Sequence, residues 1–292
     1  MTYVTDSNSG LYGLAAGDLN NDGRLDIAVT NYGTYAVGIF LAHIETNFVE
    51  NTTFSTGSAE FPGFIALDGF TSDGLPDIVV ENDGTHDISI LIHNANGKFS
   101  MQTAYLGNST FCPPFIIVSD FNSDQRLDIA AANCDMNILI ILYGERDVTF
   151  DNFTVFSTGT NSNPQSTASG YFNNDNCLDV IVRLPSSNAI DVLLGYDNGI
   201  FGNSMIYSTG RYSYPLSVTI KDLNNDGRLD VVVSNMLNNN IGICLGYANE
   251  DFASTTTTRL VGHSAQPVSI ALGDFNSDSN VDVGVADRKT IR

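Results

Sequence analysis

An aspartate closes a short acidic loop six times along this chain of 292 residues, at intervals of 51, 51, 51, 51 and 52 residues. The closing residues are Asp26, Asp77, Asp128, Asp179, Asp230 and Asp282. A fixed long period indicates one supersecondary unit that is copied and stacked, so the repeat decides the fold. The fifth loop, which runs from Asp222 to Asp230, repeats the first almost letter for letter.

Each copy predicts four strands around its loop. A short strand such as 116–118 comes first, and a nearly continuous apolar strand such as 78–80 follows the loop, which is typical of a strand covered on both faces. A third strand such as 138–142 and a fourth strand complete the copy. A proline seven residues before the loop marks the start of most first strands, since it has no N–H to leave unpaired: Pro62, Pro113, Pro164, Pro215 and Pro267. The fourth strands are predicted to open with Phe48, Phe99, Phe150, Phe201 and Phe252.

Four antiparallel strands in each copy, with both faces of the small sheet buried, predict an all-β fold, a β-propeller of four-stranded antiparallel blades. We expect residues 1–292 to form a single domain of six 51-residue repeats and therefore six blades. Residues 1–6 match the fourth strand of a later copy and could complete the sixth blade, while the last copy stops at Arg292 near the start of its third strand. A seven-bladed propeller is the alternative if the chain is a fragment.

The loops predict a metal site because oxygen-bearing side chains occupy loop positions 1, 3, 5 and 9. A main-chain carbonyl is expected at position 7, and Gly23 at position 6 of the first loop permits a sharp turn. Six or more hard oxygen ligands favour Ca²⁺ over Mg²⁺ and Zn²⁺. An EF-hand is excluded because position 12, where it needs Glu, is Val29 or Val233.

Four copies carry the full set, including the residue at position 7. The predicted calcium ligands are Asp18, Asn20, Asp22, Arg24, Asp26; Asp120, Asn122, Asp124, Arg126, Asp128; Asp222, Asn224, Asp226, Arg228, Asp230; and Asp274, Asn276, Asp278, Asn280, Asp282.

The second and fourth loops are incomplete. The second has Gly69 and Thr71 where ligands belong, so we expect it to hold no metal. The fourth has Tyr171 at position 1, so we expect weak binding or none.

The repeats resemble the FG-GAP/VCBS family of calcium-binding β-propellers, which is related to the head of integrin α subunits. The resemblance covers essentially the whole chain and depends mainly on the Asp-x-Asn-x-Asp-Gly-x-x-Asp loops. The stretches 15–20 and 271–276 are similar to the family's Gly-Asp-Phe-Asn segment, whereas its Phe-Gly and Gly-Ala-Pro pieces are only partly kept. The resemblance implies an extracellular or cell-surface module whose Ca²⁺ ions make the blades rigid, and it does not imply catalysis.

Charge and hydropathy restrict the partners. The net charge of −21 argues against nucleic acid, because no basic patch offsets phosphate repulsion. No apolar run approaches the roughly 18 residues that a transmembrane helix needs. The first residues have neither the basic nor the apolar region of a signal peptide, so the extracellular expectation depends on the loops and the resemblance.

Our first functional hypothesis is therefore a non-enzymatic calcium-binding propeller for adhesion or protein recognition. The alternatives are a lectin-like propeller that binds carbohydrate, a non-catalytic module of a polysaccharide-active enzyme, and a polysaccharide-degrading enzyme. We expect a protein or glycan ligand on the face opposite the calcium loops. The segment 211–214 is the most contact-prone part of that face, which also carries Tyr32, Tyr35, His86 and His263.

Two cysteines of the third copy, Cys112 and Cys134, fall within about one residue of each other across the antiparallel pair that the acidic loop connects. Either a disulfide or two separate thiols fits this placement.

Overall fold

The computed structural model describes residues 10–43, 48–57, 60–71, 73–94, 98–106, 115–246, 252, 257–260 and 265–288. Within these ranges the chain forms strands, turns and two 3-10 turns, Pro185–Ser187 and Asp197–Gly199, and no α-helix. The all-β, propeller-like class predicted from the repeat is confirmed. In the same ranges, no helix has the length and the apolar character needed to cross a membrane. Residues 1–9 and Cys112 lie outside the described residues, so the predictions for the chain start and for the 112–134 pair stay predictions.

Within the described residues the strands form five four-stranded antiparallel sheets and two two-stranded sheets. Strands that are neighbours in sequence pair, except in the fourth sheet, where a small hairpin separates the last two strands in sequence. The first sheet contains β1 (Leu11–Gly17), β2 (Asp26–Asn31), β3 (Ala36–Ala42) and β4 (Phe48–Ser55). The second contains β5 (Pro62–Asp68), β6 (Asp77–Asn82), β7 (Asp87–Asn94) and β8 (Lys98–Leu106). The third contains β9 (Phe115–Ser119), β10 (Asp128–Asn133), β11 (Ile138–Tyr143) and β12 (Asn152–Ser157).

The fourth sheet contains β13 (Thr167–Gly170), β14 (Asp179–Leu184), β15 (Ala189–Leu193) and β18 (Met205–Ser208). A small hairpin of β16 (Gly195–Tyr196) and β17 (Ile200–Phe201) lies between its last two strands in sequence. The fifth sheet contains β19 (Pro215–Lys221), β20 (Asp230–Asn235), β21 (Asn240–Cys244) and β22 (Thr257–Leu260). The last pair is β23 (Pro267–Gly273) with β24 (Asp282–Asp287).

The second strand of each four-stranded sheet lies in the core, as its apolar sequence predicts. All six residues of β6, β10, β14 and β20 are buried. Pro62, Pro215 and Pro267 are the first residues of β5, β19 and β23, which confirms the prediction at these three strand starts. Pro164 instead precedes β13, which begins at Thr167, and Pro113 lies outside the described residues.

The chain divides into two compact units. Unit 1 comprises residues 1–119, 126–131 and 141–154, and unit 2 comprises residues 120–125, 132–140 and 155–292, so the division passes through the third sheet. In unit 1, apolar residues of the first two sheets form one core that includes Val37, Ile65 and Ile78. In unit 2, the fourth and fifth sheets share a core that includes Ile181, Val192 and Val231.

The periodic phenylalanines do not all open fourth strands, so this part of the prediction was wrong. Phe48 begins β4, but Phe201 belongs to the separate hairpin β16–β17, and Phe252 forms an isolated bridge with Gly246. Packing explains the spacing. The Phe201 ring lies 5.5 Å from the Phe156 ring and 6.2 Å from the Phe121 ring. The arrangement recurs one copy later, where the Phe252 ring lies 5.6 Å from the Tyr207 ring and 5.5 Å from the Phe172 ring. Phe201 and Phe252 thus each pack against an aromatic residue of an earlier acidic loop.

Candidate functional site

Each acidic loop connects the first strand of its sheet to the second, so all the predicted ligands lie at one end of the strands. In the first loop, Asp18 Oδ1 and Asn20 Oδ1 both accept a hydrogen bond from the backbone N–H of Asp22, at 3.0 Å each. Asp18 Oδ2 accepts from Gly23 at 2.7 Å, and Asp22 Oδ1 accepts from Arg24 at 3.0 Å. The side chains of positions 1, 3 and 5 are therefore folded inward over the loop backbone.

The other full loops repeat this arrangement. The side-chain carboxylate of position 1 accepts hydrogen bonds from the backbone N–H groups of positions 5 and 6, and the side-chain oxygen of position 3 accepts one from the N–H of position 5. The donor–acceptor distances are 2.8 to 3.2 Å. The residues concerned are Asp120, Asn122, Asp124, Gln125, Asp222, Asn224, Asp226, Gly227, Asp274, Asn276, Asp278 and Ser279. The sequence pattern therefore produces one local geometry in four places.

The aspartate at position 9 has a different environment. Asp26 is fully buried, its Oδ2 accepts from the N–H of Leu19 at 2.9 Å, and its Oδ1 accepts from the N–H of Ala42 at 2.8 Å. This carboxylate therefore ties together the loop, the start of β2 and the end of β3. Asp77, Asp179 and Asp230 accept the same two hydrogen bonds, one from the loop and one from the end of the third strand. Asp128 accepts the bond from the end of the third strand, and Asp282 accepts the bond from the loop.

The incomplete second and fourth loops show that the structural hydrogen bonds of position 9 do not require the ligand residues of the loop. Asp77 keeps both bonds in the second loop, to Phe70 at 2.8 Å and to His93 at 2.7 Å, although Gly69 and Thr71 replace ligands there. Asp179 does the same in the fourth loop, which begins with Tyr171. Position 9 is thus a fold anchor whether or not the rest of the ligand set is present. The sequence alone did not predict that position 9 is a structural anchor, although the aspartate at this position in all six copies was a signal of it.

An arginine at position 7 adds a positive charge to the first, third and fifth loops. In the third loop, Arg126 Nε donates to the carbonyl oxygen of Gly144 at 2.9 Å. Arg24 pairs with the Asp22 carboxylate through Nη2, and its Nε donates to the carbonyl oxygen of Ala42 at 3.2 Å. Arg228 Nη1 lies 3.6 Å from Asp226 Oδ2. The sixth loop has Asn280 at this position, and its backbone N–H donates to Asp278 at 2.8 Å.

The pKa shifts have opposite directions in two exposed loop carboxylates and in two of the buried position 9 aspartates. Hydrogen bonds from the N–H groups of Ser279 and Asn280 lower the pKa values of Asp274 and Asp278, respectively. Burial instead raises the pKa of Asp77, against the hydrogen bonds from His93, Thr71 and Phe70, and raises that of Asp179 to about 6. The carboxylates of Asp274 and Asp278 are therefore ionised at neutral pH, whereas burial makes Asp77 and Asp179 harder to ionise.

The residues of a full loop fit Ca²⁺ in their chemistry, since they supply hard oxygen donors from Asp and Asn side chains that are already turned inward. The arrangement also differs from the predicted set, because position 9 faces backbone amides. Among the residues that the structure places, no group of three or more His, Cys, Asp or Glu side chains is positioned to hold a metal ion. The calcium sites consequently stay a prediction.

A second group of residues lies at the other end of the sheets in unit 1, where the first and second sheets place aromatic rings side by side. Tyr32 and Tyr35, which the sequence assigned to this side, contact Phe61 at centroid distances of 4.9 and 4.8 Å. The group also contains Tyr12, Phe61 and Phe64, which the sequence did not predict. Their position immediately before and within the first strands was the signal.

Comparison with known families identifies the repeat. An FG-GAP-like repeat model matches residues 120–182, 172–233 and 222–285, and the FG-GAP repeat model matches residues 11–40. The chain belongs to the FG-GAP repeat family. The matched segments include all four full acidic loops and the fourth, incomplete one, so the loops and the family assignment refer to the same residues. No curated protein matches this FG-GAP chain by sequence.

Solved structures share the fold at low identity. Virginiamycin B lyase from Staphylococcus aureus is 14% identical with a TM-score of 0.65, over 97% of this chain and 79% of that one. A proposed 6-phosphogluconolactonase from Bacteroides uniformis is 14% identical with a TM-score of 0.64, over 99% and 86%. BBS1N, solved in complex with ARL6DN, is 12% identical with a TM-score of 0.56, over 94% and 91%. These similarities establish a fold and not an activity.

Proposed function

We propose that this FG-GAP protein is a non-enzymatic, calcium-stabilised propeller of six blades that recognises a protein outside the cell or at its surface. The observation that carries the proposal is the repeated inward folding of positions 1, 3 and 5 in four of the six loops. Asx turns alone would explain one such loop. Four loops that present the same carboxylate and amide oxygens, beside two in which ligand positions are occupied by other residues, favour an ion site.

In each full loop, positions 1, 3 and 5 would hold the ion, with a main-chain carbonyl from position 7. A bound Ca²⁺ supplies positive charge that neutralises the clustered carboxylates and cross-links the turn. The position 9 carboxylate holds the loop against the neighbouring strands through its two amide bonds, independently of the ion. Loop stability would then depend on calcium in the first, third, fifth and sixth copies only.

Six blades follow from six loops at one period, five of which lie in four-stranded sheets. This count is part of the proposal.

The roles of the carboxylates and the proteins that share this fold favour recognition of a protein over catalysis. The periodic carboxylates are accounted for by loop geometry, and Asp191, a carboxylate outside the loops, is fully buried and inaccessible to a substrate. The lyase and the proposed lactonase share only the fold at 14% identity, and BBS1N is an example of this fold in complex with another protein.

The test compares thermal unfolding in excess Ca²⁺, excess Mg²⁺ and chelator for the wild type and for Asp226→Asn. We expect Ca²⁺ to raise the wild-type Tm by several degrees more than Mg²⁺ does, since binding to the folded state stabilises it. The Asp226→Asn variant should lose part of this gain, and the control Asp73→Asn, in the incomplete second loop, should keep all of it. A Tm that does not respond to Ca²⁺ would end the proposal, and specific binding to a glycan array would replace protein recognition by the lectin alternative.

A further inference from the structure

The strand β12 lies at the open edge of the third sheet, next to β11. Its residues, 152–157, include no Asp, Glu, Lys or Arg. The edge strands β4 and β8 of the first two sheets contain Glu50 and Lys98, respectively. A charge on an edge strand hinders pairing with a strand of another molecule. The edge of β12 therefore lacks a protection that β4 and β8 have.

An aromatic ring is exposed at the start of β12. Phe150, two residues before the strand, is buried, and its ring lies 5.9 Å from the Phe70 ring. Phe153, inside the strand, is 48% exposed. The buried ring fixes the chain at the entry to β12, and the residues that follow reach the surface. An exposed ring on an uncharged edge favours association between molecules.

The first residue of β12 begins the acceptor sequence for N-linked glycosylation, Asn152-Phe153-Thr154. The chain has two further triplets of this kind, at Asn51 and Asn108. Such triplets arise easily in a chain rich in Asn and Thr, so the triplet alone is a weak signal. Asn152 is distinguished by its exposure at the start of the uncharged edge strand.

We propose that Asn152 carries an N-linked glycan, which keeps the edge of β12 from pairing with another chain. In the transfer, the side-chain nitrogen of Asn152 attacks the anomeric carbon of a lipid-linked oligosaccharide pyrophosphate. The nitrogen–carbon bond forms, the bond from that carbon to the pyrophosphate oxygen breaks, and the amide proton passes to a base of the transferase. Successive side chains of a strand point to opposite faces, so the glycan does not pack on Phe153 and acts by its bulk across the edge.

The folded structure restricts when the glycan is added. The hydroxyl of Thr154 hydrogen-bonds to the hydroxyl of Tyr143, and Tyr143 is buried. The transferase recognises the threonine hydroxyl of the triplet, which the folded strand withholds. Transfer therefore precedes the folding of β12 onto its sheet. This inference rests on the extracellular part of the proposed function, adds a modification site, and does not depend on the calcium sites.

The full chain, secreted from insect cells behind an added signal peptide, tests occupancy of the site. A glycosidase in ¹⁸O-water converts each glycosylated Asn to labelled Asp, and mass spectrometry of the tryptic peptide 147–183 then reports Asn152 alone. We expect label in most wild-type copies and none in Asn152→Gln or Thr154→Val, with label retained in Thr154→Ser. With purified transferase, a peptide of residues 147–160 should be modified and the folded, unglycosylated chain should not. Equal modification of the two would refute the stated order of transfer and folding.

Light scattering at equal protein concentration tests the role of the glycan. The glycosylated wild type should stay monomeric, and Asn152→Gln should self-associate. In the Asn152→Gln background, Phe153→Lys should restore the monomer, whereas Met101→Lys, which adds the same charge at a 49% exposed position of β8, should not. An unlabelled Asn152 in the secreted wild type, or equal monomer fractions with and without the glycan, would overturn the inference. A labelled Asn152 without a calcium response keeps it and refutes the calcium proposal, and the opposite pattern does the reverse.

Discussion

The Oδ1 atom of Asp77 accepts a hydrogen bond of 2.7 Å from the backbone N–H of His93, sixteen residues further along the chain. Its Oδ2 accepts from Phe70 at 2.8 Å, so one buried carboxylate joins a loop and two strands. The same relation recurs at Asp26, Asp179 and Asp230. The repeated aspartate is therefore fixed by the fold, and the positions before it are free to gain or lose ligands.

Asp77→Asn tests the anchor in a loop that is not expected to bind metal. An amide offers one acceptor oxygen, so one backbone N–H would face an NH₂ group, and we expect a loss of about 1–3 kcal/mol in the free energy of unfolding. Urea unfolding should give the same loss with Ca²⁺ and with chelator. The exposed Asp73→Asn variant serves as the control. A loss found only with Ca²⁺ would mean that the anchor acts through an ion.

Arg24→Gln tests whether the position 7 arginine competes with calcium. Arg24 pairs with the carboxylate of Asp22, so its removal should raise calcium affinity at the first loop about two- to fivefold, the range of an exposed ion pair. The reciprocal Asn280→Arg change should lower affinity at the sixth loop. Backbone amide shifts of residues 22 and 278 report each loop separately. Unchanged affinity in both variants would contradict this role.

Asp191→Asn tests a buried acid in unit 2. Burial raises the pKa of Asp191, while Ser204 donates to its Oδ1 at 2.6 Å. As pH rises above the ordinary value of 3.8, the unfolded chain ionises first, so the wild type loses stability until the pH reaches the raised folded pKa. The variant cannot ionise and should lose less between pH 4 and pH 7. Parallel pH profiles of unfolding free energy for the two proteins would refute this.

Phe201→Ala tests the aromatic group of unit 2. The ring contacts Phe121 and Phe156 and is buried, so its removal should cost about 3–5 kcal/mol of unfolding free energy. Phe153→Ala, which removes a ring that is 48% exposed, should change stability by less than about 0.5 kcal/mol. Chemical denaturation of both variants compares them directly, and a similar loss in both would show that burial of Phe201 contributes little.

The repeat predicted most of the fold because period, apolar strands and loop composition agree in every copy. Residues 78–80 lie within a fully buried second strand, and Pro62 and Pro215 begin first strands, as expected. The role of Phe201 was not predictable from its own copy. Its partners lie 45 and 80 residues earlier, and a period does not reveal which copies touch.

The candidate sites were only partly predictable. The inward folding of Asp18 and Asn20 follows from local Asx chemistry, which sequence captures. The burial of Asp26 depends on Ala42, which a later strand brings to it. The positive φ of Tyr35 can be inferred from sequence only by comparing it with the equivalent positions of later copies, Asn137 and Asn188, because asparagine favours a left-handed backbone.

Calorimetric titration of the chelated protein with Ca²⁺ counts the bound ions and so tests directly whether the full loops are calcium sites. We expect four ions, one for each loop with a full set at positions 1, 3 and 5, and we expect Asp226→Asn to weaken or remove one of them. No binding heat, or six equivalent ions that include the second and fourth loops, would contradict this expectation.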